Sequence, residues 1–213
     1  MGSDPDVRRS PSGQDQGQPI DQTGDAGGLV DLNDQLDAIF PSILELATNV
    51  QPDQFGNATP CAKFQVRDVL DHMIGGAAQF APQLRGLPMG TPPSGLSDED
   101  RPAVLKDVLA ELLDAARSPG ASDHIVNMPF GDIPGSVLLR FLTVDGMSHA
   151  SDIARGTGQT YEPAEELATA VLESARQLIA PEMRDGDTFA AETPVPADSP
   201  ALTKLIAFTG RPI

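Results

Sequence analysis

Apolar residues recur at three- and four-residue intervals in segment after segment of this chain, and clusters of Gly, Pro and polar residues separate the segments. At about 100° per residue that spacing aligns one apolar stripe per helix, whereas a half-buried strand needs strict alternation. Leu32, Leu36, Ile39, Ile43 and Ala47 form the first stripe, with Pro41 marking a point where the run can kink. Val66, Val69, Met73, Ile74, Ala77 and Leu84 form the second, and Val104, Leu105, Val108, Leu109 and Leu112 the third. Ser97 and Asp100 have the spacing of a capping box for that third helix. A fourth helix begins with Leu138, Phe141 and Leu142; Ser136 is expected to cap it and Gly156 and Gly158 to end it. A fifth carries Leu167, Val171, Leu172 and Leu178, with Pro163 just inside its start. The last is short, running from Ser199-Pro200 to Gly210.

The stretch from Asp123 to Pro134 has no clear period and is read as a structured loop, and no pair of alternating strands stands out. Residues 1–28 contain almost nothing apolar, so they cannot offset the entropy of ordering and are expected to be a disordered tail before a bundle domain at 29–213. The fold class expected is all-α, a helical bundle, whose sites are built from side chains on facing helices. Aromatic content of 4% with no Trp fits a core of Leu, Val, Ile and Ala, an inventory that suits helices.

Charge narrows the partners. A net charge of −17, from 14 Lys and Arg against 31 Asp and Glu, argues against nucleic acid, which requires clustered cations. The single cysteine, Cys61, excludes an intrachain disulfide and a Cys-rich zinc site, and fits a reducing compartment. No stretch approaches the roughly 20 apolar residues of a membrane span, and no apolar leader follows the first charges. The expectation is a soluble cytoplasmic protein with no membrane partner.

Asp145 and His149 interrupt this pattern. They stand at i and i+4 on the fourth helix, Asp152 follows three residues later, and all three continue the apolar stripe of Leu138, Phe141 and Leu142. Burying two carboxylates and an imidazole without compensation costs several kcal/mol. Either a cation or a hydrogen-bond network neutralises them there, or the stripe leaves the core. The i,i+4 spacing lets Asp145 and His149 reach one ion, although two ligands do not complete a site, and a surface Asp–His hydrogen bond satisfies the same spacing. Gly146 inside the helix points to close helix approach or ligand access. Asp152 is read either as an acceptor for the second ring nitrogen of His149 or as a surface acid near the helix end.

His72, on a flank of the second helix, is the third candidate. Gly75 and Gly76 follow it at i+3 and i+4, which clears space beside the imidazole at a cost of about 1 kcal/mol each in helix stability. A surface histidine next to a weakened helix end is the alternative. His124 lies in the loop and is read as solvated, Cys61 as a thiol packed near a helix start, and Arg155 and Arg211 as either anchors for an anionic substrate or ion-paired side chains.

Three segments, TPCAKFQVRDVLDHMIGG (59–76), DGMSHASDIARGTGQ (145–159) and LIAFTGRP (205–212), occur in an order that resembles the actinobacterial DinB/YfiT-like metal-binding proteins related to mycothiol-dependent maleylpyruvate isomerase. The resemblance runs from about residue 30 to the end. It implies a DinB-like four-helix bundle with an extra short C-terminal helix, holding a divalent metal, zinc or nickel, through one histidine on the second helix and two residues four apart on a later one. His72 falls on the first ligand position, and Asp145 and His149 on the pair. The sequence departs from the pattern in two places: Asp145 stands where the isomerase has Glu and many DinB proteins have His, and Phe64 stands where Trp is usual. The shorter carboxylate implies a slight backbone shift or a bridging water.

The same resemblance implies thiol chemistry, in which a metal-bound mycothiol-type thiolate attacks a small electrophile and the protein is a transferase or isomerase. Two further readings stand beside it. One is a hydrolase that uses metal-bound hydroxide with Asp152 as general base; the other is a non-enzymatic bundle that binds a small ligand. A homodimer is compatible with each, and apart from that general base none of these readings assigns catalytic or thiol-binding residues.

Overall fold

The structure, a computed structural model, describes residues 31–128, 131–184 and 189–213. The expected tail at 1–28 lies outside these residues. Helix α1 spans Leu32–Thr48, and the Asp31 side chain caps it by accepting from the Asn33 N–H at 2.8 Å. Pro41 does not end it. The carbonyl that Pro41 leaves without a donor belongs to Asp37, and both residues lie on the exposed face, where water can replace the lost bond.

Helix α2 covers Val66–Leu84, with the Gln65 N–H donating to Asp68 Oδ2 at 2.9 Å. Helix α3 covers Arg101–Ala116. Ser97 and Asp100 do bond to each other, the Asp100 N–H reaching Ser97 Oγ at 3.2 Å, but they close the turn before the helix and do not cap its first residues. The stretch expected as a loop contains a hairpin, strand β1 at Ile125–Met128 antiparallel to β2 at Gly131–Pro134, with Val126 opposite Ile133. Its strands are four residues each, and Val126 is the one fully buried side chain among them, too little to show a period in sequence.

Helix α4, Gly135–Thr157, begins one residue before Ser136, which does not cap it; the Ser136 N–H instead donates to the Ser122 carbonyl at 2.9 Å. Gly158 ends it with φ of 71°, the left-handed conformation that glycine adopts without strain. Gly156 remains helical, and a Cβ there would stand 2.9 Å from Val66 Cγ2. Helix α5, Glu165–Leu178, starts two residues after Pro163, and α6, Ala201–Phe208, follows a short 3-10 turn at Pro181–Met183. The Glu165 carboxylate accepts the first N–H of α6, from Ala201, at 2.9 Å and ties the two helices together.

Helices α1 to α4 form the four-helix bundle, α1 and α2 each packing on both α3 and α4, while α5 lies on α4 and α6 on α5. Leu36, Ile39 and Ile43 of α1, Leu70 and Ile74 of α2 and Leu105 of α3 are fully buried between them, each contributing about 1.5–3 kcal/mol. Gly146 lets α1 and α4 approach, since a Cβ there would meet Ile39 Cγ2 at 3.1 Å. Among the described residues no helix is long and apolar enough to cross a membrane.

Candidate metal site and its cavity

His72 on α2 and Asp145 and His149 on α4 converge where those helices pack. The ligand-capable atoms of the three residues all lie within 4.8 Å of one another. His72 Nε2 is 3.0 Å from Asp145 Oδ1, and His149 Nε2 is 3.4 Å from the same oxygen. Two imidazole nitrogens from different helices therefore point at one carboxylate oxygen. Phe64, in the loop before α2, packs on both rings, with centroids 5.5 Å from His72 and 5.9 Å from His149. It restricts both imidazoles by contact.

Asp152 is fully buried, which excludes the surface-acid alternative. Its Oδ2 accepts from His149 Nδ1 at 2.8 Å, and Arg211 donates to both of its oxygens, Nε to Oδ1 at 2.9 Å and Nη2 to Oδ2 at 2.8 Å. An ionised carboxylate only accepts, so Nδ1 carries the hydrogen and Nε2 is the nitrogen turned to the Asp145 side. This network compensates the polar burial on α4. It also removes Asp152 as a general base for a hydrolase, because its oxygens are occupied and it does not reach the cavity.

The charges act on one another. Burial works against an ionised Asp145, but the His72 and His149 imidazoles outweigh it and hold the carboxyl well below the usual range. Burial also disfavours the His149 imidazolium, yet the charge of Asp145 and the hydrogen bonds from Asp145 and Asp152 carry its pKa up to about 9. Asp152 is lowered by His149 and Arg211 against its own burial. Cys61 is pushed up, chiefly by burial, with Arg211 opposing.

The cluster forms part of the wall of a cavity of about 740 Å³ between α2, α3, α4 and the hairpin. Gly76 lines this cavity, as expected for space beside His72, while Gly75 faces Pro92 with nothing nearer than 4.0 Å to an added Cβ. Cys61 also lines it, half-buried. Arg211 is not a free anion anchor but the partner of Asp152, and Arg155 donates to the Pro212 carbonyl at 2.5 Å. His124 is remote from the cluster; its Nδ1 bonds the Leu84 carbonyl at 2.8 Å. Sequence reasoning did not single out Ser148, which lines the cavity beside His149 and whose Oγ is buried without a hydrogen-bond partner among the described residues. Nothing in its spacing distinguishes it from a helix-packing serine.

The donor set, two imidazole nitrogens and a carboxylate oxygen facing a cavity, is one that could hold a divalent metal ion such as zinc or nickel.

No protein-family model matches the chain. Uncharacterized protein Rv0738 and Uncharacterized protein MT0763, from two strains of Mycobacterium tuberculosis, are each 34% identical to it over 173 residues, 79% of this chain and 91% of the relative. Crystal structures of the mycothiol-dependent maleylpyruvate isomerase and of a histidine-to-alanine mutant of it superpose with TM-scores of 0.56 and 0.57, at 17% and 16% identity, over 70% of this chain and 68% of theirs. The chain has the helical DinB-like fold of that isomerase, and it belongs to the family of the Mycobacterium tuberculosis proteins Rv0738 and MT0763.

Proposed function

We propose that this protein is a metal-dependent transferase or isomerase that uses a low-molecular-weight thiol of the mycothiol type on a small electrophile, with His72, Asp145 and His149 as the metal ligands. The observation that carries this reading is the convergence of two imidazole Nε2 atoms on one carboxylate oxygen at the wall of a largely apolar cavity. When bound there, a divalent ion supplies acidification of a thiol, which makes a nucleophile available near neutral pH.

The chain's own residues do the rest. Asp152 and Arg211 fix the ring of His149, and Phe64 packs against both imidazoles, so the ligands are held before anything binds. The cavity beside the cluster is walled largely by apolar side chains. Cys61 is a poor candidate for the nucleophile, because burial raises its pKa above the ordinary thiol value and keeps it protonated. The nucleophile in this reading is a separate thiol, and the similarity in fold to a mycothiol-dependent enzyme supports that choice. A cytoplasmic setting, where such thiols stay reduced, belongs to the same proposal.

The test is spectroscopic. Cobalt-loaded protein titrated with mycothiol should develop a thiolate-to-cobalt charge-transfer band that saturates and is absent from His149→Ala. An unchanged cobalt spectrum at saturating mycothiol contradicts the thiol mechanism.

A further inference from the structure

Resting on the thiol-dependent reading above, we propose that the electrophile is an extended apolar molecule carrying one hydrogen-bonding group, such as a carbonyl, and not a small multiply charged acid. The cavity is long. Leu138 and His149 both line it, and their separation along α4 amounts to about 16 Å at 1.5 Å rise per residue. His72 and Gln79 of α2 line the facing wall, two turns apart. One end thus holds the ligand cluster, and the space extends from it toward the hairpin.

Along that length the wall is mostly apolar, with Gln79 and Asn127 as polar members: Phe40, Met73, Phe80, Leu109, Met128 and Phe141 contribute to it. Methionine adapts its shape to what it contacts, so such a lining accepts a chain or a ring system without one fixed outline. The volume of about 740 Å³ falls in the range, about 300–1,000 Å³, of pockets that enclose drug-sized ligands. The charged groups sit with the cluster. Arg211 is paired with Asp152, Asp145 lies between the His72 and His149 imidazoles, and Lys63 also lines the wall. A dianion extending along this cavity would lose its hydration to an apolar lining.

Ser148 supplies the polar contact. Ser148 lines the cavity next to His149, and its Oγ is closed to solvent with no hydrogen-bond partner among the described residues, an unfavourable state that a ligand carbonyl relieves by accepting from it once the hydroxyl turns to the cavity. The bond would hold the electrophile's polar head at the cluster end and direct its apolar body toward Phe80 and Leu138.

The experiment uses the full chain, metal-loaded and chelator-treated, with N-phenylnaphthylamine as a neutral fluorescent probe. Saturable binding at one probe per chain in both forms, displaced by decanone and not by maleate at equal concentration, is the expected result. Gly76→Leu places a side chain in the cavity where an added Cβ makes only an ordinary 3.6 Å contact with Phe80. It should weaken probe binding about tenfold, the effect of losing roughly one side chain's worth of apolar contact. Ser148→Ala should weaken decanone about fivefold, one hydrogen bond's worth, and leave the probe unchanged. Displacement by maleate as effective as by decanone, or absence of probe binding to the folded wild type, overturns the proposal. The cobalt spectrum with mycothiol is recorded on the same samples. Probe binding without a thiol response upholds the apolar cavity and contradicts the thiol reading, whereas a thiol response with maleate as the better competitor does the reverse.

Discussion

Asp152 accepts the Nδ1–H of His149 at 2.8 Å, and that bond determines which nitrogen of the ring faces the cavity. Arg211 holds the carboxylate in turn through both of its oxygens. Asp152→Asn replaces an acceptor-only group with an amide that cannot satisfy His149 and Arg211 together. Zinc affinity should fall by about 10–100-fold. Global stability should fall by about 3–5 kcal/mol, because Arg211 is left buried without its counter-charge. Equilibrium dialysis and urea unfolding measure the two effects separately; unchanged zinc affinity would show that Asp152 does not act through His149.

The pH dependence of chelator-treated protein has a definite sign. His149 rises from its ordinary 6.5 to about 9 on folding, so its stabilisation is complete below pH 6.5 and is lost as pH rises through about 9. Asp145 and Asp152 are lowered from their ordinary 3.8, so their contribution holds above that value and disappears in acid. The melting temperature should therefore be highest between about pH 4 and 6.5 and should decline toward pH 9, a decline that His149→Ala removes. Zinc affinity should show the opposite trend and rise with pH over the same alkaline interval, because the ion displaces the Nε2 proton.

Two helical glycines should respond in opposite ways. A Cβ at Gly76 meets only Phe80, at 3.6 Å, beside open cavity, so Gly76→Ala should stabilise by up to about 1 kcal/mol through helix propensity. A Cβ at Gly146 stands 3.1 Å from the fully buried Ile39, and Gly146→Leu should cost about 1–3 kcal/mol by forcing α1 away from α4. Thermal melts of the two variants check both signs.

The bundle is largely legible in the sequence because each helix carries an apolar stripe, which is why Leu36, Ile39 and Ile43, or Leu105, Leu109 and Leu112, identify their buried faces without a structure. Asp145 and His149 are legible for the opposite reason: they are polar where that stripe demands apolar residues. The hairpin is not, since four-residue strands with one deeply buried side chain, Val126, show no period, and Pro134 reads as a breaker. Helix starts at Gly135 and Arg101 also differ from the serine-based expectation, because the backbone bonds of Ser136 and Ser97 are directed by neighbouring turns. The partnership of Arg211 with Asp152 joins residues 59 positions apart and depends on how α6 returns the chain to α4. Tertiary packing creates it, and no local pattern announces it.

The most direct test of the account is the metal content of the purified chain after equilibration with zinc and exhaustive dialysis, measured for the wild type and for His149→Ala. One zinc per chain in the wild type and loss of stoichiometric zinc in the variant, with the helical fold retained by circular dichroism, is the predicted result. No zinc in the wild type, or equal retention in His149→Ala, would contradict a site formed by His72, Asp145 and His149.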